Sequence, residues 1–292
     1  MLKIKEYIIE KALFMCALIT VLTTAGIILI LTVEAFSFFR NVSLYDFFTD
    51  PQWTPLYSEK HFGILSLLAG TFLTTVIAIM VALPVGMGIA IYLSEYAPRS
   101  FRKIIKPLLE LLAAVPTVVY GFFALMVVTP FLQNIIPGVS GFNALSAGIV
   151  MGVMIIPFIS SMSEDALHAV PKSLREAAYG MGSTRLQTVF RVTIPSASSG
   201  ITASTILAIS RAIGETMIVT IAAGQMPGLT LNPLKPVQTI TAYIVQVSSG
   251  DVQFGSLEHQ SIFAAGISLF ALTFILNSVS FWIKKKYRIQ YE

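Results

Sequence analysis

Residues 12–33 run for more than the length of a bilayer-spanning helix without one charged side chain. A hydrocarbon core of about 30 Å needs about 20 apolar residues in helical form, and no open sheet or irregular segment can satisfy its backbone there. Five further apolar stretches follow, at about 63–93, 108–132, from beyond 141 to 162, 197–223 and 261–283. A chain with this pattern is restricted to an all-α integral membrane protein of six spans.

Composition agrees. Hydrophobic residues make up 55% of the 292 and charged residues 12%, with a mean hydropathy of +0.79, whereas a soluble domain carries about 25% charge. The pI of about 9.1 does not indicate nucleic acid, because the basic residues fall in short clusters between apolar runs and form no single basic face. The first run follows Lys3, Lys5 and Lys11, as a signal peptide would. It exceeds the 7 to 15 residues of a cleavable apolar region and no small-residue cleavage site follows, so it is expected to remain as an anchor. Cys16 is the one cysteine, which rules out an internal disulfide. His61, His168 and His259 are too dispersed in sequence to suggest a metal site.

The basic clusters set the predicted orientation, since cytoplasmic connections retain Lys and Arg. Alternate segments hold Lys3, Lys5 and Lys11; Arg99, Arg102, Lys103 and Lys106; Lys172, Arg175, Arg185 and Arg191; and Lys284, Lys285, Lys286 and Arg288. Against these fifteen, the other connections hold Arg40, Lys60 and Lys235. Both termini are therefore expected in the cytoplasm. Residues 1–61 read as a first span with a following aromatic loop on the far side, and residues 62–292 as the core. Pro84, Gly86 and Gly88 in the second run, and Pro116 in the third, predict bent helices. The polar segment 225–260 is expected to be a loop on the far side.

One long polar interruption lies in the middle of the chain, within the cytoplasmic segment 164–195. Residues 173–195 read as two short helices and a turn. Ser173 and Glu176 have the spacing of a capping box, and Thr184 and Gln187 repeat it. Gly180 and Gly182 give backbone freedom between them, and Pro195 is expected to close the second helix where the next run begins. Leu174, Ala177, Ala178 and Met181 fall on one side, a small-residue face suited to another protein's groove. An ordinary helical loop is the plainer alternative.

The spacing of Glu176-Ala177-Ala178, then Gly182, then Val192, Ile194 and Pro195 resembles the EAA signature of ABC-importer permeases, with two aliphatic positions conservatively replaced. Residues 115–125, VPTVVYGFFAL, and 210–224, SRAIGETMIVTIAAG, resemble the phosphate-specific permeases, in the form of their PstC-type subunits. The resemblance covers spans two to six and implies the MetI-like permease fold. In that family the EAA loop couples to a cytoplasmic ATPase, so Ser173, Glu176, Ala177, Ala178, Gly182, Thr184, Gln187 and Pro195 are the candidate coupling residues. The implied partners are a PstA-type second permease, a homodimeric PstB-type ATPase and an extracytoplasmic phosphate-binding protein, in a prokaryotic cell membrane. The sequence has no G-x-x-x-x-G-K-[ST] pattern and no cytoplasmic segment long enough for a nucleotide-binding domain. ATP and Mg are therefore assigned to the partner chain, with no cofactor bound here and no catalytic residue.

Arg211 and Glu215 are opposite charges within the fifth run. Each costs about 2.5 to 3.5 kcal/mol at a span's centre unless paired or facing water. Their i, i+4 spacing predicts one helical face and allows a mutual salt bridge. The other reading places Arg211 in the substrate path, its fixed fork of donors on an oxyanion, with Glu215 positioning it and Gly214 admitting close approach. Permeases for other oxyanions stay open, and so does an ion-coupled secondary transporter, which also places charges in broken helices. An intramembrane hydrolase is disfavoured, because no serine or cysteine in the spans has a partnered histidine or an aspartate pair.

Overall fold

The computed structural model describes residues 2–286, and side chains from 6 to 283. Of the expected cytoplasmic cations, the side chains of Lys3, Lys5, Lys284, Lys285 and Lys286, and the whole of Arg288, lie outside the described residues. The described residues are helical with no strand beyond an isolated bridge between Trp53 and Phe62. Five helical stretches are long and apolar enough to cross a membrane: Glu6–Phe39, Leu65–Tyr96, Thr117–Ile135, Ala144–His168 and Leu257–Ile283. A sixth is a helix pair bent by 71°, Arg185–Ser196 with Ser198–Ile213.

In chain order, α1 (Leu2–Phe39) leads through the short α2 (Leu44–Thr49) to α3 (Leu65–Ile91). Pro84 lies inside α3, and a π-helical turn, Tyr92–Tyr96, prolongs it. The third run departs from expectation. Pro116 does not bend one helix but separates two, because it forces Val115 into extended backbone (φ −62°, ψ 130°). Residues before it belong to α4 (Arg99–Ala114), an amphipathic helix. The span after it is built from α5 (Thr117–Phe123), a π turn (Ala124–Val128) and α6 (Thr129–Ile135).

The centre is α3 packed parallel to α7 (Ala144–His168), and small residues set how closely. A Cβ built on Gly148 would meet Ile77 at 2.7 Å, and one on Gly152 would meet the Ala78 carbonyl at 2.8 Å; at Gly86 the neighbour is Ile159 at 2.9 Å. Dispersion between closely approached backbones is what holds spans together where lipid is as apolar as leucine. Around this pair the core collects Ala82, Met151, Met154, Ile155 and Val219.

The segments after α1 and before α13 (Leu257–Lys286) also pack. Phe38, Phe47, Trp53 and Phe62 form edge-to-face pairs. Trp53 meets Tyr243 the same way at 5.0 Å. Tyr243 sits on α12 (Ile240–Ser248), a helix inside what reads in sequence as a polar loop. That segment re-enters the protein: Val237, Gln238, Thr239 and Ile240 are buried. Its return is pinned by backbone bonds from Val237 N–H to Ala223 O (3.0 Å) and from Ala144 N–H to Lys235 O (3.2 Å). The second of these satisfies an amide at the start of α7 that no helical carbonyl can reach.

Candidate coupling loop and translocation site

At the far end of α7 the chain turns at Pro171 into α8 (Lys172–Gly180). The cap here is Pro171, so Ser173 is already inside the first turn and makes no capping box with Glu176. Proline takes that place because its fixed φ and missing N–H suit a helix start. Ser173, Glu176 and Ala177 are exposed on α8, while Ala178 is buried. Leu174 packs with Ala90, Leu167, Val170 and Ala197. The four-residue face expected from the sequence is thus divided: Leu174 and Ala178 seat the hairpin on its own chain, and Ala177 and Met181 face out. Met181 is 87% exposed, and Leu186 and Phe190 are also open.

The turn is a Schellman closure. Ser183 N–H donates to Ala178 O at 3.1 Å and Gly182 N–H to Tyr179 O at 2.9 Å, with Gly182 at φ +81°. Gly180 remains in ordinary helical backbone. Beyond it, Thr184 and Gln187 form the expected capping box on α9 (Arg185–Thr188): Gln187 N–H donates to Thr184 Oγ1 at 3.3 Å, and Thr184 N–H to Gln187 Oε1 at 2.9 Å. A π turn (Val189–Thr193) and α10 (Ile194–Ser196) continue the helix past Pro195, which therefore does not close it. The 71° bend comes at Ala197, one residue after α10 ends.

Two buried carboxylates hold this end together, and charge counting alone passed over both. Glu95, 8% exposed on the π turn after α3, pairs with Arg175 of α8 at 3.0 Å. Arg175 also donates to Leu167 O at 2.7 Å, and Arg185 of α9 donates to the Glu95 carbonyl. Glu164, fully buried in α7, pairs with Arg102 and with Lys106 of α4, the latter at 2.7 Å. Lys106 reaches Asp165 as well, at 3.0 Å. Burial pulls the Lys106 ammonium down, but its bonds to Glu164 and Asp165 outweigh that and hold its pKa above the ordinary value. Three cations that read as topology signals, Arg102, Lys106 and Arg175, are thus also ion-pair partners, and a fourth, Arg185, bonds to a backbone carbonyl. The signal available in sequence was that their counter-charges, Glu95, Glu164 and Asp165, stand at the ends of apolar runs.

The Arg211 and Glu215 pairing is not formed. The fifth run is interrupted: α11 (Ser198–Ile213) ends with Gly214 as its C-cap, and helix resumes only at Met217. The i, i+4 geometry fails because Glu215 lies outside the helix. Its carboxylate instead caps the next turn, accepting from Met217 N–H at 3.1 Å and Ile218 N–H at 3.4 Å. Arg211 is exposed, its guanidinium 4.9 Å over the Phe158 ring. Stacking covers a face of the guanidinium and leaves its N–H edge for an anion. Among the described residues Gly214 has no close neighbour; a Cβ there would meet only the carbonyls of Ser210 and Arg211, at 3.7 and 3.8 Å. The Glu215 carbonyl accepts from Thr241 Oγ1 at 2.7 Å, which ties the break to the re-entrant segment.

Residues 82–289, most of the chain and all of the elements just described from mid-α3 onward, match the family described as "Binding-protein-dependent transport system inner membrane component". The chain belongs to this family. This permease is 37% identical over 81% of its length to the "Phosphate transport system permease protein PstC" of Mesorhizobium japonicum, covering 77% of that protein. It is 34% identical over 89% of its length to the "Probable ABC transporter permease protein YqgH" of Bacillus subtilis, covering 84% of it. In fold it is similar to the MetNI methionine ABC transporter in an inward-facing form (TM-score 0.56, 19% identity, 77% of this chain and 94% of that one). The bacterial transporter that imports the acidic polysaccharide alginate is similar too (TM-score 0.58, 15% identity, 84% and 90%). The permease is accordingly a multi-pass inner-membrane protein with the MetI-like fold.

Proposed function

We propose that this permease is the PstC-type subunit of an ATP-driven importer of inorganic phosphate. The observation that carries the reading is its similarity along most of its length to permeases named for phosphate transport, together with a hairpin built to dock. Its exposed Ala177, Met181, Leu186 and Phe190 offer an apolar face to a partner's groove. On this reading the partner is a homodimeric PstB-type ATPase, which supplies the ATP and Mg chemistry, and the permease pairs with a PstA-type subunit and an extracytoplasmic phosphate-binding protein. Residues 164–195 face the cytoplasm and 225–260 face the other side, as reporter fusions within each segment would show. Residues 1–61 are an added span and loop on a permease core of 62–292.

In this scheme Arg211 lies on the substrate path and offers paired donors to an oxyanion, while Glu215 holds the helix break open beside it by capping the following turn. The helix interruption places polar backbone inside a span, which membrane proteins tolerate where it lines a cavity. Other tetrahedral oxyanions would fit the same donors. The test is uptake into proteoliposomes holding the full complex and binding protein: ATP-dependent phosphate uptake that sulfate and molybdate do not inhibit is expected. Preference for another oxyanion, or uptake driven by an ion gradient without ATP, would overturn the assignment.

A further inference from the structure

Both helices of the hairpin converge on one residue of α3's extension. Arg175 of α8 pairs with the Glu95 carboxylate, and Arg185 of α9 donates to the Glu95 carbonyl while its guanidinium lies 4.7 Å over the adjacent Tyr96 ring. Glu95 is nearly buried, so this joint is poorly screened by water and by salt. At the opposite end of α3, Thr71 Oγ1 accepts from Ile240 N–H at 3.2 Å. One residue earlier, Gly70 sits so close to the Gln238 carbonyl that a Cβ has no room. These contacts fall on the re-entrant segment, whose Thr241 holds the Glu215 carbonyl at the helix break.

Between the two joints, α3 and its π turn form one helical stretch from Leu65 to Tyr96, and the ladder bond missing at Pro84 lies beside the close contact of Gly86 with Ile159. Thr71 and Glu95 are 24 residues apart, about 36 Å at 1.5 Å per residue. Over that length Gly86, Gly148 and Gly152 let α3 and α7 pack backbone to backbone, and closely packed elements shift as units rather than deform. We propose that α3 is a rigid strut that carries movement of the hairpin to the re-entrant segment, with Glu95 and Thr71 as the positioning residues at its two ends. The proposal rests on the reading above that the hairpin docks an ATPase.

Spin labels test it in the assembled complex, on Leu231→Cys in the re-entrant segment and Tyr45→Cys beyond α1, both well exposed, in a Cys16→Ser background. ATP should shift the distance between them. Thr71→Val should cut the shifted fraction about fivefold, the effect of losing one hydrogen bond, and Glu95→Gln, which leaves Arg175 without its buried counter-charge, by more than that, while ATP hydrolysis persists. The double variant should be no worse than the more damaging single one, since both interrupt one path. The reversed pair, Glu95→Arg with Arg175→Glu, should recover the shift. An unchanged shift in either single variant, multiplied effects in the double, no ATP-driven shift in the parent, or loss of hydrolysis along with the shift would overturn the strut. The readout is movement, so failure of phosphate uptake with the shift intact would strike the substrate assignment alone.

Discussion

Glu164 is the residue whose replacement should cost most at the loop-bearing end. Its carboxylate is fully buried and meets Arg102 and Lys106, whose side chains are 25% and 29% exposed. Removing one member of a buried pair costs about 3 to 5 kcal/mol, because the remaining charge is left without a partner. Lys106 retains Asp165 at 3.0 Å, and both cations reach solvent in part, which points to the lower figure for Glu164→Gln. About 3 kcal/mol is roughly two decades of equilibrium constant. Amide exchange across 99–114 should therefore quicken about a hundredfold if α4 opens locally, with the centre of α7 unchanged. Replacing all three charges, Glu164→Leu with Arg102→Leu and Lys106→Met, should return α4 to near its original protection, since an apolar triad of similar volume avoids desolvating ions. Unchanged exchange in Glu164→Gln, or a triple variant worse than the single, would refute the view that this buried charge holds α4 in place.

At the hairpin turn, Gly182→Ala should cost about 1 to 2 kcal/mol through its left-handed backbone alone, since nothing stands near a Cβ there; Gly182→Asn should cost less, and tryptic cleavage at Arg185 reports both. Arg211→Gln should abolish uptake while the complex still assembles, whereas Glu215→Ala should lower thermal stability by about 0.5 to 2 kcal/mol through loss of the cap on Met217 and Ile218. If Arg211→Gln with Glu215→Gln together restored transport, neutralisation rather than substrate contact would be their role. The Lys106 pKa is raised on folding, so its contribution to stability is complete below 10.5 and is lost as pH rises through the higher folded value. Thermal unfolding should show that alkaline loss in the parent and not in Lys106→Met.

The membrane class, the number of apolar runs and the Thr184 and Gln187 capping box were legible in the sequence because each depends on local chemistry: hydrocarbon length, helix period, or a contact three residues long. The left-handed turn at Gly182 belongs with them, since only glycine adopts that backbone at no cost. Pro116 announced a break but not its kind. Whether a proline bends a helix or separates two depends on what the preceding segment packs against, and α4 keeps Arg102 and Lys106 beside Glu164 on α7. The shared face of Arg211 and Glu215, and the salt bridge it would allow, depend on helical spacing through Gly214; the tertiary structure ends the helix there and turns Glu215 to its own downstream amides. The segment from Val237 to Val247 is too short to declare itself a span, and it is buried only because α3, α13 and Trp53 enclose it. Sequence fixes what a residue can do with its near neighbours along the chain. The partners of Glu95 and Glu164 come from 58 residues (Lys106 to Glu164) to 90 residues (Arg185 to Glu95) away, and only the folded arrangement of helices brings those charges to where burial makes them matter.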